Sequence, residues 1–416
     1  MEGLVDYSKI VPVDTLWVLL CSILVIFMTI PGLSLFYGGL VRKKNVLSIL
    51  MKSFSICGAI TLFWITIGYS LAFTSGNPFI GDLSKFALNG IQIMPNFLNQ
   101  VSVHAAAPTI PEAVFVLYSM SFAIITPALI TGGFAERMKY FSSLIFCLLW
   151  SLVVYVPIAH IVWQPGGWLR EQGVLDFAGG TVVHITAGVA GLVAAIILGK
   201  RQDKFKSSHV LPYNLVFSCI GAAMLWIGWF GFNGGSSFAL NSQSILAVLN
   251  TQVAAASGLL SWAAVEWLYT RKTMMLGVIS GAIAGLVGVT PAAGFVLPYH
   301  AVIIGMVSSV MCYIACTSIK AYFGYDDALD AFGIHGVGGV IGALGTGIFA
   351  TKVIAGVEGD VWLQAKGVIF AICYTAIATI ILLKLVDKLI GLRVDPKVEE
   401  IGLDLSQHGS YLSAEE

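Results

Sequence analysis

The sequence predicts an all-α integral membrane protein with eleven transmembrane helices, arranged as two inverted repeats of five helices plus one extra helix. Of 416 residues, 57% are hydrophobic and 11% are charged, whereas soluble domains carry about 25% charged residues. The charges are concentrated in short segments between long uncharged runs, which is typical of repeated membrane crossing. The formal net charge is zero and no basic stripe is present, so we expect no nucleic-acid partner.

Each predicted helix is an apolar run long enough, or nearly so, to cross about 30 Å of hydrocarbon. The runs cover residues 16–37, 46–73, 113–132, 140–162, 180–198, 211–232, 245–269, 274–288, 297–319, 332–350 and 362–390. The eighth is short and the last is long. No basic flank precedes the first run, so we expect it to be a retained helix rather than a signal peptide.

The loop charges predict the orientation. Most Lys and Arg residues of the loops fall on one side of the predicted membrane. Those on the opposite side are Lys9, Lys85, Arg170 and Lys352. The positive-inside rule then predicts a multi-pass protein of the cell membrane with its N-terminus outside and its C-terminus in the cytoplasm. Residues 1–392 form the predicted transmembrane domain, and residues 393–416 form a polar cytosolic tail.

The fifth and tenth predicted helices share the pattern His-x-x-x-Gly-x-x-Gly, which begins at His184 and at His335. An acidic residue precedes each pattern, Asp176 in one and Asp330 in the other. Five helices per half force the second half to be inverted, and inverted repeats place a transport pathway at their interface. A helix face of small residues lets helix backbones approach closely. We therefore expect the glycines to bring the two histidines together.

An ionisable group inside a membrane is costly unless it is partnered or faces a cavity, so His184 and His335 are candidate functional residues. Neutral imidazoles can hydrogen-bond a small neutral base or relay a proton. A di-histidine metal enzyme is the competing interpretation, but no HExxH motif or carboxylate cluster stands nearby in the predicted helices. We expect no metal, no cofactor and no enzymatic activity. The seven cysteines lie in apolar runs and predict no disulfide.

Aromatic residues gather near the predicted external ends of several helices: Tyr118, Phe122, Trp163 and Phe232, with Ser236 close by. Such aromatics are often anchors at the membrane interface. A Trp and a Tyr that face a vestibule can instead hold a small cation over their rings, and two Phe residues below them can form a hydrophobic plug. Both interpretations stay open at this point.

Six motifs carry a resemblance over almost the whole chain. They are FYGGLVRKKN from Phe36, FAERM from Phe134, DFAGGTVVHITAG from Asp176, GWFGFNGGS from Gly228, DAFGIHGVGG from Asp330 and GLDLSQHG from Gly402. The sequence resembles the ammonium transporter family (Amt/Mep/Rh), and most closely its prokaryotic Amt branch.

The resemblance implies a homotrimer in the lipid bilayer with one pore through each subunit, which transports ammonium or ammonia and, we expect, methylammonium. It also implies a possible P-II signal protein as a partner at the cytosolic face. The implied roles are substrate recruitment for Trp163, Ser236 and Tyr118, a gate for Phe122 and Phe232, a pore-lining proton relay for His184 and His335, and structural support for Asp176.

The sequence departs from the family pattern in three places. Tyr118 stands where many members have Phe, and Gln164 and Pro165 alter the loop after Trp163. In the tail, Ser410 stands where an acidic residue commonly follows the glycine. These departures bear on the shape of the recruitment site and on control through the tail.

The physical cost of crossing favours deprotonation. Moving a bare cation into a dry lumen has an idealised cost of order 20 kcal/mol, whereas deprotonating an amine of pKa near 10.4 at pH 7 costs roughly 5 kcal/mol. We therefore expect ammonium to lose its proton near the Phe gate, cross as ammonia and be reprotonated inside. Whether the histidines relay the proton or only bind ammonia stays open. A sensor and a gas or urea channel are the alternative functions.

Overall fold

The computed structural model describes residues 3–202 and 212–410. Leu211, the first residue of the sixth predicted helix, and residues 411–416 of the predicted tail lie outside the described residues. The described chain is a bundle of long apolar helices with one small sheet. The predicted all-α, multi-spanning fold is confirmed.

In the described residues, ten helices are long and apolar enough to cross a membrane, and one apolar helix is shorter. In chain order they are α1 (Pro12–Leu40), α2 (Lys43–Phe73), α3 (Glu112–Phe134), α4 (Tyr140–Glu171, interrupted by a turn at 164–167), α5 (Gly180–Leu198), α6 (Leu215–Ser237), α7 (Ser242–Thr270), α8 (Met275–Val289), α9 (Pro298–Phe323), α10 (Phe332–Phe349) and α11 (Val361–Ile390). At 15 residues, α8 is about 22 Å long. The eleventh crossing therefore stays a prediction.

The remaining elements are short. Helices α12 (Pro396–Ile401) and α13 (Leu403–His408) follow α11, and a four-residue helix, Lys352–Ala355, lies between α10 and α11. Strands β1 (Leu4–Asp6) and β2 (Gln100–Ser102) pair antiparallel, and 3₁₀ turns lie at Tyr7–Lys9 and Phe86–Leu88. The sheet joins the N-terminal segment to the long loop between α2 and α3.

π-Helical turns interrupt several of the long helices. They lie at Met28–Leu33, Trp64–Gly68, Ser151–Tyr155, Gly180–Ile185, Ala315–Ile319 and Phe332–Gly336. Two of these turns carry His184 and His335. A π turn inserts an extra residue and shifts the side chains relative to the regular helix, and such turns often lie at functional sites.

Helices α5 and α10 approach closely where the sequence places small residues. A Cβ atom on Gly188 would lie 2.2 Å from the backbone nitrogen of Gly336, the residue after His335. The predicted close approach is therefore present. The second glycine of the α10 pattern has a different neighbour, because a Cβ on Gly342 would lie 2.1 Å from the carbonyl oxygen of Gly288 at the end of α8.

The described part of the predicted tail lies against one end of the bundle, which we call the tail face. The Asp404 carboxylate accepts hydrogen bonds from the backbone amides of Leu47 (3.0 Å) and Ser48 (2.7 Å), in the first turns of α2. The Gln407 side-chain oxygen accepts one from the Tyr140 amide, the first of α4 (2.7 Å). The tail thus caps two membrane helices, whose first amides have no partner within their own helices.

Buried ion pairs join the loops of the tail face. Glu136, in the FAERM motif, pairs with Arg42 (2.8 Å) and with Arg201, and Arg201 also pairs with Asp326 (3.0 Å). Burial opposes ionisation of Glu136, but Arg201 and Arg42 outweigh it and lower the pKa of Glu136 to about 2. The motif therefore belongs to an ion-pair network that joins four loops.

Candidate functional site

A cavity of about 380 Å³ lies at the opposite end of the bundle from the tail. We call this cavity the vestibule. Its wall includes Tyr118, Phe122, Trp163 and Ser236, which come from α3, α4 and α6. The structure thus brings together four of the residues predicted from the sequence.

The Trp163 side chain is held by its polar atom. Its indole nitrogen donates a hydrogen bond to the carbonyl oxygen of Asp176 (2.9 Å). Its ring meets the Phe122 ring edge to face, with centroids 5.9 Å apart and an interplanar angle of 85°. Aromatic faces attract small cations, so this part of the wall can bind a cation without an acidic side chain.

The Tyr118 hydroxyl is turned to the backbone of α6. Tyr118 is 2% exposed, and its hydroxyl donates to the carbonyl oxygen of Phe232 (2.7 Å) and lies 3.1 Å from the Ser236 hydroxyl oxygen. The Ser236 hydroxyl donates to the same carbonyl (2.9 Å). Because both hydroxyl protons are directed to that carbonyl, the Ser236 oxygen keeps lone pairs that can accept hydrogen bonds from a cation.

Two stacked phenyl rings close the floor of the vestibule. The centroids of Phe122 and Phe232 are 4.1 Å apart and their planes differ by 24°. Phe122 is 3% exposed and Phe232 is fully buried. The stack lies between the vestibule and a narrow space beside His184 and His335, which we call the lumen.

The lumen holds the two histidines next to the stack. The Nδ1 atoms of His184 and His335 are 3.3 Å apart, and the ring planes differ by 21°. A neutral imidazole carries one N–H, so one ring donates through Nδ1 and the other accepts. The donating ring then has an unprotonated Nε2 and the accepting ring has an N–H at Nε2. The pair therefore offers one acceptor and one donor to a small molecule beside it.

The space beside the histidines is very small. Its volume is about 10 Å³, and its wall is otherwise made mainly of apolar side chains. The Nε2 atom of His184 is buried and has no hydrogen-bond partner among the described residues. A buried polar atom without a partner is costly, so this atom is available to a small molecule that can donate a hydrogen bond.

Trp229 is a lumen residue that the sequence reasoning missed. Its ring stacks on His184 with centroids 5.4 Å apart, and its indole nitrogen donates to the Thr290 hydroxyl (2.8 Å). Trp229 lies three residues before Phe232 on α6, and residues three apart share a helix face. That spacing could have identified Trp229 as a residue on the same face as Phe232.

Asp176 holds the start of α5. Its two carboxylate oxygens accept four hydrogen bonds of 2.7–3.0 Å from the backbone amides of residues 179–182. Burial raises the pKa of Asp176, and the four amide donors oppose that rise. The carboxylate therefore fixes the turn that carries His184.

In the second repeat, Asp327 and not Asp330 takes the position that Asp176 has in the first. Asp327 lies eight residues before His335, as Asp176 lies before His184. Asp327 accepts hydrogen bonds from the amides of Ala331 (3.1 Å) and Phe332 (2.8 Å). Asp330 instead pairs with Lys320 (2.6 Å). The amides at the start of α10 are within reach of the carboxylate of Asp327, whereas the carboxylate of Asp330 is turned toward α9.

No group of three or more His, Cys, Asp or Glu side chains that could hold a metal ion occurs in the described part of the chain. The vestibule and the space beside the histidines are lined mainly by aromatic and apolar side chains, with hydroxyl groups, the histidine pair and two charged side chains, Arg170 and Asp176.

Comparison with known proteins identifies the family. The model of the Ammonium Transporter Family matches residues 16–411. An ammonium transporter of Bacillus subtilis (strain 168) is 46% identical over 405 residues, which are 95% of this chain and 97% of the relative. The ammonium transporter Amt1 of Archaeoglobus fulgidus is 40% identical and covers 94% of this chain and 97% of its own length.

Solved structures give the same result. The crystal structure of Candida albicans Mep2 superposes with a TM-score of 0.88 and 35% identity, covering 98% of this chain and 92% of that chain. A structure described as a Sensor Amt Protein superposes with a TM-score of 0.86 and 30% identity, covering 95% of this chain and 98% of that chain. This multi-pass membrane protein belongs to the ammonium transporter family.

Proposed function

We propose that the protein transports ammonium by binding it in the vestibule, removing its proton near the Phe gate and passing ammonia along the histidine pair. The observation that carries this proposal is a continuous row of rings from the vestibule to the histidines. The Phe122–Phe232 stack lies directly beside His184, with 5.9 Å between the ring centroids of Phe232 and His184. Family membership supports ammonium as the cargo.

The dimensions of the lumen favour ammonia over a hydrated ion. A space of about 10 Å³ beside the histidines holds about one water-sized molecule, so a cation that enters it loses its hydration shell. The desolvation penalty is several kcal/mol even after relaxation of the protein, and the apolar wall does not replace the lost ligands. Potassium has no proton to release and would have to cross as an ion, so the proposal predicts its exclusion.

The histidine pair matches ammonia in its hydrogen bonding. Ammonia has N–H donors and one lone pair, and the pair His184 and His335 offers one Nε2 acceptor and one Nε2 donor. A proton can pass along the same two rings through the Nδ1–Nδ1 contact if both tautomers invert. Proton relay makes transport electrogenic, whereas hydrogen bonding alone makes it neutral.

Recruitment would use Trp163, Tyr118 and Ser236. The Trp163 ring contributes an aromatic face, the Ser236 oxygen contributes lone pairs, and Tyr118 holds Ser236 and the Phe232 carbonyl in place. The volume of the vestibule, about 380 Å³, leaves room for methylammonium.

The arrangement in the membrane is part of the proposal. Loop charges favour an N-terminus outside the cell and a C-terminus in the cytoplasm, with residues 1–392 as the transmembrane domain and 393–416 as the cytosolic tail. The family resemblance supports a homotrimer and, at the tail face, a P-II signal protein as a partner.

The test is a current measurement on purified protein in a solid-supported membrane after an ammonium pulse, with potassium as the control cation. We compare the wild type, the double variant His184→Ala with His335→Ala, and the control His300→Ala, which changes a histidine outside the lumen. The proposal is supported if the wild type gives a current with ammonium and none with potassium. The double histidine variant, and not His300→Ala, should lose this current or its selectivity. The opposite result is folded wild-type protein that gives no current and still shifts the internal pH when ammonia is supplied. That result would reject the proton relay in favour of a neutral ammonia channel.

A sensor is the second candidate function, favoured by the similarity to the Sensor Amt Protein and by the contact of the tail with two membrane helices. Wild-type protein that gives neither current nor a pH shift, yet binds ammonium, would favour the sensor.

A further inference from the structure

We propose that Arg170 is the charge filter of the vestibule: a resident cation that discriminates against divalent cations and sets the affinity for monovalent ones. The proposal rests on the proposed function, because it concerns cation entry into the recruitment site. Arg170 lines the vestibule wall together with Trp163. Its side chain is exposed, so its charge is available to the cavity.

The position of the guanidinium is informative. Arg170 donates a hydrogen bond through Nη1 to the backbone carbonyl oxygen of Trp163, the last residue of the helical segment Val156–Trp163 in α4. The last carbonyls of a helix have no intrahelical partner and carry a partial negative charge. An incoming cation would be attracted to this carbonyl, and Arg170 already occupies it.

Two carboxylates also lie near Arg170, and backbone amides bind both of them. Asp176 is the only other charged residue on the described wall, and its two oxygens are taken by four backbone amides. Glu171 follows Arg170 in sequence, but its carboxylate accepts a hydrogen bond from the Gly166 amide (2.9 Å), on the exposed turn after Trp163. On the vestibule wall, the exposed charged side chain is therefore the positive one, Arg170, whereas Asp176 is buried.

Coulomb repulsion depends on the charge of the incoming ion. For two unit charges about 10 Å apart in a solvated cavity, removing one changes the affinity about two- to fourfold. For a dication at the same place the energy doubles, so the factor is squared, to about four- to sixteenfold. The filter thus predicts that the change in affinity for a dication is the square of the change for a monocation.

The test uses three variants with matched probes. Arg170→Gln removes the charge and keeps a hydrogen-bond donor for the Trp163 carbonyl, and Arg170→Lys keeps the charge. Arg271→Gln is the control, because Arg271 is exposed at the tail face and stacks on Trp267. We measure half-saturation of the ammonium current, and its inhibition by propylammonium and by propane-1,3-diammonium, which are similar in size and differ in charge.

We expect Arg170→Gln to lower half-saturation for ammonium about two- to fourfold and to strengthen diammonium inhibition by about the square of the factor for propylammonium. Arg170→Lys restores the wild-type ratio, and high salt reduces the difference between Arg170→Gln and the wild type. Equal factors for the two inhibitors, or weaker ammonium binding in Arg170→Gln, overturn the filter and leave Arg170 as a residue that only positions Trp163.

A binding measurement separates the two proposals. Isothermal titration of the purified protein with propane-1,3-diammonium needs no transport. Suppose that the wild type conducts no ammonium but that Arg170→Gln binds the diammonium more tightly than the wild type does. This result would support the charge filter and reject the proposed transport. A conducting wild type with no change in Arg170→Gln would reject the filter alone.

Discussion

Replacement of Asp176 tests how the fold positions the lumen. The carboxylate accepts four backbone amides at 2.7–3.0 Å, and a hydrogen bond to a charged group contributes about 1.5–3 kcal/mol. In Asp176→Asn the amide oxygen keeps about half of these bonds, while the NH₂ group faces two N–H donors. Such contacts are not additive, so we expect a loss of about 3–5 kcal/mol for Asn and more for Ala.

We expect Asp176→Asn to loosen the start of α5 before it unfolds the whole protein. The amides of residues 179–182 lie immediately before His184, and the Asp176 backbone also holds the Trp163 indole. We therefore expect faster hydrogen exchange at 179–182, a lower melting temperature in detergent and a loss of ammonium current from protein that is still folded.

The control is Asp395→Asn, an exposed aspartate of the tail, which should leave all three measurements unchanged. Asp176→Asn with wild-type exchange at 179–182 would refute the argument, since the amides would then have found other partners without the carboxylate.

Three further predictions concern packing, capping and pH. Gly188→Ala places a Cβ atom 2.2 Å from the Gly336 nitrogen, so it should force α5 and α10 apart, destabilise the protein by about 1–3 kcal/mol and reduce the current per folded protein; an unchanged current would contradict the close packing. Asp404→Ala removes the cap of α2 and should cost about 1–2 kcal/mol, seen as faster exchange at amides 47 and 48, whereas Asp404→Asn should be milder. The pKa of Glu136 lies at about 2 instead of its ordinary 4.5. Its ion pairs therefore contribute about 3 kcal/mol of stability above pH 4.5, and this stability is lost as the pH falls toward 2. Between pH 5 and pH 2.5 the melting temperature should fall more steeply for the wild type than for Glu136→Gln, and equal slopes would count against the pairing.

The fold was predictable because the membrane imposes a simple requirement. A helix must satisfy its backbone groups internally and be long enough to cross the hydrocarbon, so apolar runs of about 20 residues identify it. The predicted boundaries agree with the structure within three residues, except at the start of the first run, at the end of the fourth, at both ends of the sixth and at the end of the ninth. Helix α8 is the weakest element, because its apolar run is short in the sequence and in the structure alike.

The candidate site was predictable only as residue types in matching positions. The histidines stood out because ionisable groups are rare in membrane helices, and the aromatics stood out through the family resemblance. The role of Asp327 was not predicted, since only the structure shows which carboxylate reaches the first amides of α10. Trp229 was overlooked because an aromatic residue in a membrane helix has no distinctive charge.

The sequence by itself determined the fold class, the family and the set of residues with candidate roles, because hydropathy, charge and motif spacing are local properties of the chain. Only the tertiary structure decided the 3.3 Å contact between the histidines, the stacking of Phe122 on Phe232 and the binding of Arg170 to the carbonyl of Trp163. It also decided that the tail caps α2 through Asp404, which is 357 residues away from Leu47 in the chain. Each of these depends on the directions in which side chains point after distant segments have packed together, and no pattern along the chain records those directions.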